Sequence, residues 1–308
     1  MALAWVCSIL LGLGSGITDD AAFDRSEDVI YGRKYGTALT LDVFRPKEKA
    51  NGLGLIFVVS GGWFSAHEAI AVKPFVEPFV KRGYTVFAVV HGSQPKFSIP
   101  EILDDMHRAV RYIRHHAKEY GVDPERLGIY GGSAGGHLSL MQGTAGKAGD
   151  PGARDPVDRE SSRVAAVACF FPPTDFLNYG KPGENAVGRG VLQGFQAPFE
   201  FTERDTKRNV LARIEDEERR NEIGREISPV NHVTKDDPPT LIIHGDADQL
   251  VPIQQAELFG EACQREGVVF ELVVKSGASH GWPGMENDIE TLADWFDRHL
   301  AGGGKTEP

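Results

Sequence analysis

The chain has 308 residues, 41% of them hydrophobic and 25% charged, with a formal charge of −11 at pH 7. A chain of this length buries roughly three quarters of its unfolded surface around one core, so it needs neither a structural metal nor a disulfide framework to fold. The acidic balance argues against nucleic acid or an anionic membrane surface as the main partner. Its three cysteines, Cys7, Cys169 and Cys263, follow no zinc or disulfide spacing and are read as non-catalytic.

Residues 1–17 (MALAWVCSILLGLGSGI) form an apolar run with the length of a signal-peptide core, but no basic residue precedes Arg25. The run is too short to span a bilayer comfortably, so no stable membrane insertion is expected. It predicts a cleaved leader and an exported, periplasmic or secreted protein, with a cytoplasmic protein as the alternative. From residue 28 onward, strands and helices alternate. Residues 38–44 (ALTLDVF) read as a half-exposed antiparallel strand. Residues 53–59 (LGLIFVV) and 84–90 (YTVFAVV) read as strands covered on both faces.

Between those two strands a helix is expected over 70–82. Residues 100–120 place Ile102, Met106, Ala109, Val110 and Ile113 on one helical face, with Gly121 as the stop. Further strands are expected at 126–130, 164–171, 240–244 and 268–274, and a last helix at 285–300. This alternation predicts an α/β fold, a mostly parallel sheet with helices on both sides. Residues 176–237 break the rhythm. They are rich in charge, Gly and Pro and hold no buried strand, which reads as a lid inserted over the sheet's carboxyl edge. Its EDEERR run is expected to be a solvated helix face. Thr174 and Asp175 are expected to start the lid's first helix, and residues 302–308 are expected to be a flexible tail.

The chemistry concentrates in four loops. Gly131-Gly132-Ser133-Ala134-Gly135 matches G-x-S-x-G directly after a strand and before a helix, the setting of a nucleophile elbow. A serine hydroxyl attacks only when a base takes its proton, and that base needs an orienting acid. Following consecutive strands, GDADQLVP offers Asp246 and Asp248, and SGASHGW offers His280. The chain order nucleophile, acid, base is that of this fold. Ser60-Gly61-Gly62-Trp63-Phe64, after an earlier strand, supplies backbone N–H groups for an oxyanion hole. Gly62 leads, with Gly61 or Trp63 beside it, and Ala134 is the donor from the elbow. His244, Asp246 and Asp248 form an HxDxD pattern, read as a core histidine and a turn-bracing Asp246 rather than a metal cluster.

GGSAGGH, HGDADQLVP, SHGW and the SGGW loop together resemble the esterase and lipase branch of the α/β-hydrolases. The resemblance is nearest to feruloyl-esterase-like, acetyl-xylan-esterase-like and hormone-sensitive-lipase-like carboxylesterases. It covers about residues 28–300, implies an α/β-hydrolase domain over 22–301, and implies Asp248 as the acid. Family members usually carry His-Gly-Gly-Gly-Trp at the oxyanion loop. This chain has Val59 and Ser60 in place of the first His-Gly, which puts the rigidity of the loop in question. His91 is expected to brace that loop or to line the substrate pocket, with Trp282 and Asp175 as further lining candidates. His137 is expected to pack beneath the elbow.

The resulting expectation is a serine carboxylic-ester hydrolase working through an acyl-enzyme on a small-molecule or carbohydrate-linked ester, with no cofactor and no metal. The alternative on the same fold is an amide hydrolase of arylformamidase or prolyl-oligopeptidase type.

Overall fold

Eight strands of the computed structural model, which describes residues 22–302, form one sheet in the order β1-β2-β4-β3-β5-β6-β9-β10. They are β1 (Phe23–Lys34), β2 (Thr37–Pro46), β3 (Gly54–Val58), β4 (Thr85–Val90), β5 (Leu127–Gly132), β6 (Ala166–Phe170), β9 (Thr240–Gly245) and β10 (Phe270–Lys275). Within this sheet only β1–β2 and β2–β4 pair antiparallel, and the other pairings are parallel. The expected leader and nearly all of the expected tail lie outside the described residues.

β3, β6 and β9 are buried along their whole length, the consequence of helices covering both faces. From β3 the chain passes to β4 on one side and then to β5 on the other. Strand order therefore reverses at β3, and the loops after β3 and β5 open side by side at the carboxyl edge. In open α/β sheets that switch point is where ligands bind.

Helix α1 (Ile99–His115) is capped by Ser98, whose N–H and hydroxyl both donate to the Glu101 carboxylate at 2.9 Å. The helix expected to reach residue 120 breaks at His116, resumes for one turn and closes at Gly121, where φ is 70°. The helix expected over 70–82 is two short pieces, Val72–Phe75 and Glu77–Lys81. Pro78 accounts for the break, because it lacks the N–H an unbroken helix would need and its ring crowds the preceding turn. Helices α2 (Ala134–Thr144), α3 (Glu217–Glu226), α4 (Gln254–Glu266) and α5 (Ile289–Phe296) complete the layers.

The insertion between β6 and β9 is mostly irregular. As expected, the EDEERR run opens α3, whose buried residues are only Ile223 and Gly224. An exposed hairpin, β7 (Thr202–Asp205) and β8 (Val210–Arg213), was not legible in the sequence because it has no apolar face to mark it. No helix starts at Thr174 and Asp175. Asp175 instead accepts the N–H groups of Leu177 and Asn178, an Asx turn that satisfies the backbone locally.

Candidate active site

The strand–turn–helix at β5–α2 places Ser133 at φ 54°, a backbone region that side chains rarely adopt. The flanking glycines make that turn sterically feasible. A Cβ on Gly131 would stand 2.7 Å from the Gly135 carbonyl carbon, and one on Gly135 would stand 2.8 Å from the Val58 carbonyl oxygen. The Ser133 N–H donates to the Phe170 carbonyl at 2.9 Å, tying the elbow to the neighbouring strand.

The structure brings Ser133, His280 and Asp248 into one chain. His280 Nε2 lies 2.9 Å from Ser133 Oγ, and His280 Nδ1 lies 2.7 Å from Asp248 Oδ2. Asp248 is buried, and its second oxygen accepts the N–H groups of Leu250 and Val251 at 2.9 Å each. Burial pushes its carboxyl pKa up, but hydrogen bonds from His244 and His280 and the other nearby donors outweigh it and bring the value to about 2. The group is an anion at neutral pH. Asp248 therefore fixes the proton on His280 Nδ1 and leaves Nε2 free to accept from the serine.

Asp246 stands apart. Its exposed carboxylate accepts the Gly277 N–H at 2.6 Å, so it clamps the acid loop to the histidine loop rather than bracing its own turn. His244 is fully buried. Its Nε2 lies 2.8 Å from the Val251 carbonyl and 3.5 Å from Asp248 Oδ2, but its Nδ1 has no partner, so it is not the fully satisfied core histidine expected.

Gly61 and Phe64 exchange two backbone hydrogen bonds of 3.0 Å around Gly62 and Trp63, both of which have positive φ. That is the pattern of a type I′ turn. It engages the Gly61 N–H, which removes Gly61 from the expected oxyanion donors. The N–H groups of Gly62 and Trp63 have no hydrogen-bond partner among the described residues. Ala134, at the first position of α2, carries one of the unpaired donors that every helix start leaves. Trp63 tolerates its unusual backbone because its ring is buried. The indole donates to His137 Nδ1 at 3.2 Å and packs on Phe176 and Phe199 of the insertion.

The rigidity that Val59 and Ser60 put in question comes from another source. Val59 is a buried apolar residue, while Ser60 Oγ lies 2.8 Å from His91 Nε2 and His91 Nδ1 lies 2.8 Å from the Gly92 carbonyl. Nδ1 must carry the proton to meet a carbonyl, so the Ser60 hydroxyl donates to Nε2. Burial lowers the His91 pKa to about 4, which keeps it neutral. His91 is thus a brace, and its substrate-lining role is corrected: only 3% of it is exposed.

Asp175 is corrected in the same way, since its side chain is spent on the Asx turn. Trp282 keeps partial exposure beside His280, with its indole donating to Asp288 at 2.7 Å. The sequence did not single out Phe195. Its ring lies against Gly62, where a Cβ would come within 2.6 Å of it. Nothing in the residue pattern of the insertion marks that contact.

His137 does sit beneath the elbow, and it also reaches the insertion. Its Nε2 lies 2.7 Å from the Ile227 carbonyl, so oxyanion loop, elbow helix and insertion meet at one imidazole. One metal-like group exists among the described residues, Glu27, Asp42 and His67. Arg25 already supplies its cation, contacting Asp42 at 2.6 Å and Glu27 at 3.0 Å.

Residues 41–263 match the BD-FAE family model, which is well over half of the chain. The chain belongs to the BD-FAE family. The match takes in Ser133 and Asp248 and stops short of His280. Among relatives of this BD-FAE member is the "Probable carboxylic ester hydrolase LipM" of Mycobacterium tuberculosis, 30% identical over 75% of this chain and 50% of that protein. The chain spans about half the length of the curated relatives it matches.

Among solved structures, a truncated carbohydrate esterase from gut microbiota is 26% identical. It aligns with a TM-score of 0.73 over 93% of this chain and 100% of its own. A thermophilic esterase of the Planctomycetes species Thermogutta terrifontis is 26% identical, with a TM-score of 0.68 over 92% and 95%. These likenesses and the sheet order give the BD-FAE chain the α/β-hydrolase fold. No helix among its described residues is long and apolar enough to cross a membrane.

Proposed function

We propose that this protein hydrolyses carboxylic esters through an acyl-enzyme on Ser133. The observation that carries the reading is the Ser133–His280–Asp248 chain, with its 2.9 and 2.7 Å contacts at the sheet's switch point. Ser133 Oγ attacks the ester carbonyl as His280 Nε2 takes its proton, and Asp248 stabilises the imidazolium that forms. The N–H groups of Ala134, Gly62 and Trp63 receive the negative oxygen of the tetrahedral intermediate. His280 then returns the proton to the departing alcohol, and a water activated by the same imidazole releases the acid.

The substrate we favour is an ester of a short acyl group on a small-molecule or carbohydrate alcohol. Support comes from the names of similar proteins, among them the carbohydrate esterase and the Thermogutta esterase, which has been solved with propionate and with butyrate. Hydrolysis of p-nitrophenyl acetate, propionate, butyrate and octanoate, run beside acetylated xylan and p-nitroacetanilide, tests the proposal. The expected result is turnover of the short esters with little on the anilide. Turnover of the anilide above the esters would replace ester by amide chemistry.

A further inference from the structure

The corner at the end of β6 is strained in a way the fold alone does not require. Phe171 has φ 36°, an outlier for a bulky residue, and it precedes Pro172, which narrows its backbone freedom further. The chain holds it there from three sides. The Phe171 N–H donates to the Ile243 carbonyl at 3.0 Å, and the preceding carbonyl, of Phe170, accepts the Ser133 N–H at 2.9 Å. Phe170 O and Pro172 press on the elbow helix, where a Cβ on Gly136 would meet them at 2.9 and 3.2 Å. Strain of this kind persists only where the surroundings over-determine it, and it concentrates at functional sites.

The result of the strain is the placement of one ring. The Phe171 ring centroid lies 4.4 Å from that of His280 and 5.8 Å from that of Trp282. A Cβ on Gly132, the residue before the nucleophile, would stand 3.5 Å from Phe171 Cε2. His280 itself sits on a tight loop between Gly277 and Gly281, both at positive φ, with a bridge joining Ser279 to Gly281. The Phe171 ring packs on the imidazole from outside that loop.

We infer that Phe171 is a positioning residue for His280, and that the strained Phe170–Phe171 corner holds nucleophile and base in register, one through a carbonyl and the other through a ring. The inference rests on the esterase reading above. The Phe171 side chain transfers no proton and forms no bond to substrate.

The test compares Phe171→Leu, which keeps apolar bulk without the ring, with Phe171→Tyr, which keeps the ring. Both are made in the full chain and assayed on p-nitrophenyl acetate. A misplaced base costs up to about 10²-fold in rate. Phe171→Leu is expected to lower kcat by at least tenfold with KM within about twofold, while Phe171→Tyr restores most of kcat. Labelling by a fluorophosphonate should slow in parallel in the leucine variant, because that reaction needs the Ser133–His280 contact and no ester recognition. Unchanged kcat in Phe171→Leu would overturn the inference. So would an equal loss in both variants, or a rise in KM alone, since these indicate a structural or binding role. An inactive wild type would instead sink the esterase reading, which keeps the two failures distinct.

Discussion

Ser60 Oγ donates to His91 Nε2 across 2.8 Å, joining the loop after β3 to the end of β4. This one bond stands where relatives of the resembled type place a histidine within the loop itself. It anchors the turn whose Gly62 and Trp63 N–H groups are the proposed oxyanion donors. Removing the hydroxyl leaves a buried imidazole nitrogen without a donor and frees the loop's first residue. Ser60→Ala is expected to destabilise the fold by about 1–3 kcal/mol and to lower kcat more than it raises KM. Thermal melting together with steady-state kinetics checks this. A variant with wild-type turnover would mean that the turn is held well enough by Gly61 and Phe64.

The two aspartates of the GDAD loop separate by what they touch. Asp248→Asn removes the anion behind His280 and presents an amide to Nδ1, which in a related triad costs about 10⁴ in turnover. Asp246→Asn weakens a clamp on Gly277 and is expected to lower the melting temperature with turnover near wild type. Measuring both quantities on both variants decides the assignment. Near-normal turnover in Asp248→Asn would remove it from the triad.

Acid should unfold this protein early. Burial is the largest cause holding His91 and His137 to about 4 and His107 to about 3, so all three are neutral in the fold. Their folded values lie below the ordinary 6.5, so the unfolded chain binds protons that the folded chain refuses. Stability is therefore full above about pH 6.5 and declines as pH falls toward 4, by up to about 1.4 kcal/mol per pH unit for each such histidine. Asp248, lowered to about 2, adds a further loss below about pH 4 with the same sign. Melting curves from pH 7.5 to 4.5 should show the temperature dropping steadily below 6.5. A flat profile down to pH 5 would contradict neutral burial of these imidazoles.

Much of the site was readable from local chemistry. G-x-S-x-G needs small residues where Gly131 and Gly135 would otherwise collide with backbone, and that requirement is written into five consecutive residues. The strands announced themselves because two-sided burial leaves unbroken apolar runs at β3 and β6. What stayed hidden depends on contacts between distant segments. The donor role of Gly61 was lost to a bond with Phe64 that its glycine identity does not predict. Position alone left His91 between bracing the loop and lining the pocket, and Asp175 between opening a lid helix and lining the pocket; both point into the structure, to satisfy loop and backbone groups. Phe195 against Gly62 joins residues far apart in sequence, and the exposed hairpin at Thr202–Arg213 carries no periodic signal.

Everything in the proposed reaction turns on Ser133 as the nucleophile that carries the acyl group. The most direct measurement is intact-protein mass spectrometry of wild type and Ser133→Ala after exposure to a fluorophosphonate, with p-nitrophenyl acetate turnover recorded on the same samples. One adduct mapping to Ser133 is expected in wild type, none in the variant, and turnover is lost without a fall in melting temperature. Adduct formation on the alanine variant at the wild-type rate, or ester turnover that survives the substitution, would contradict it.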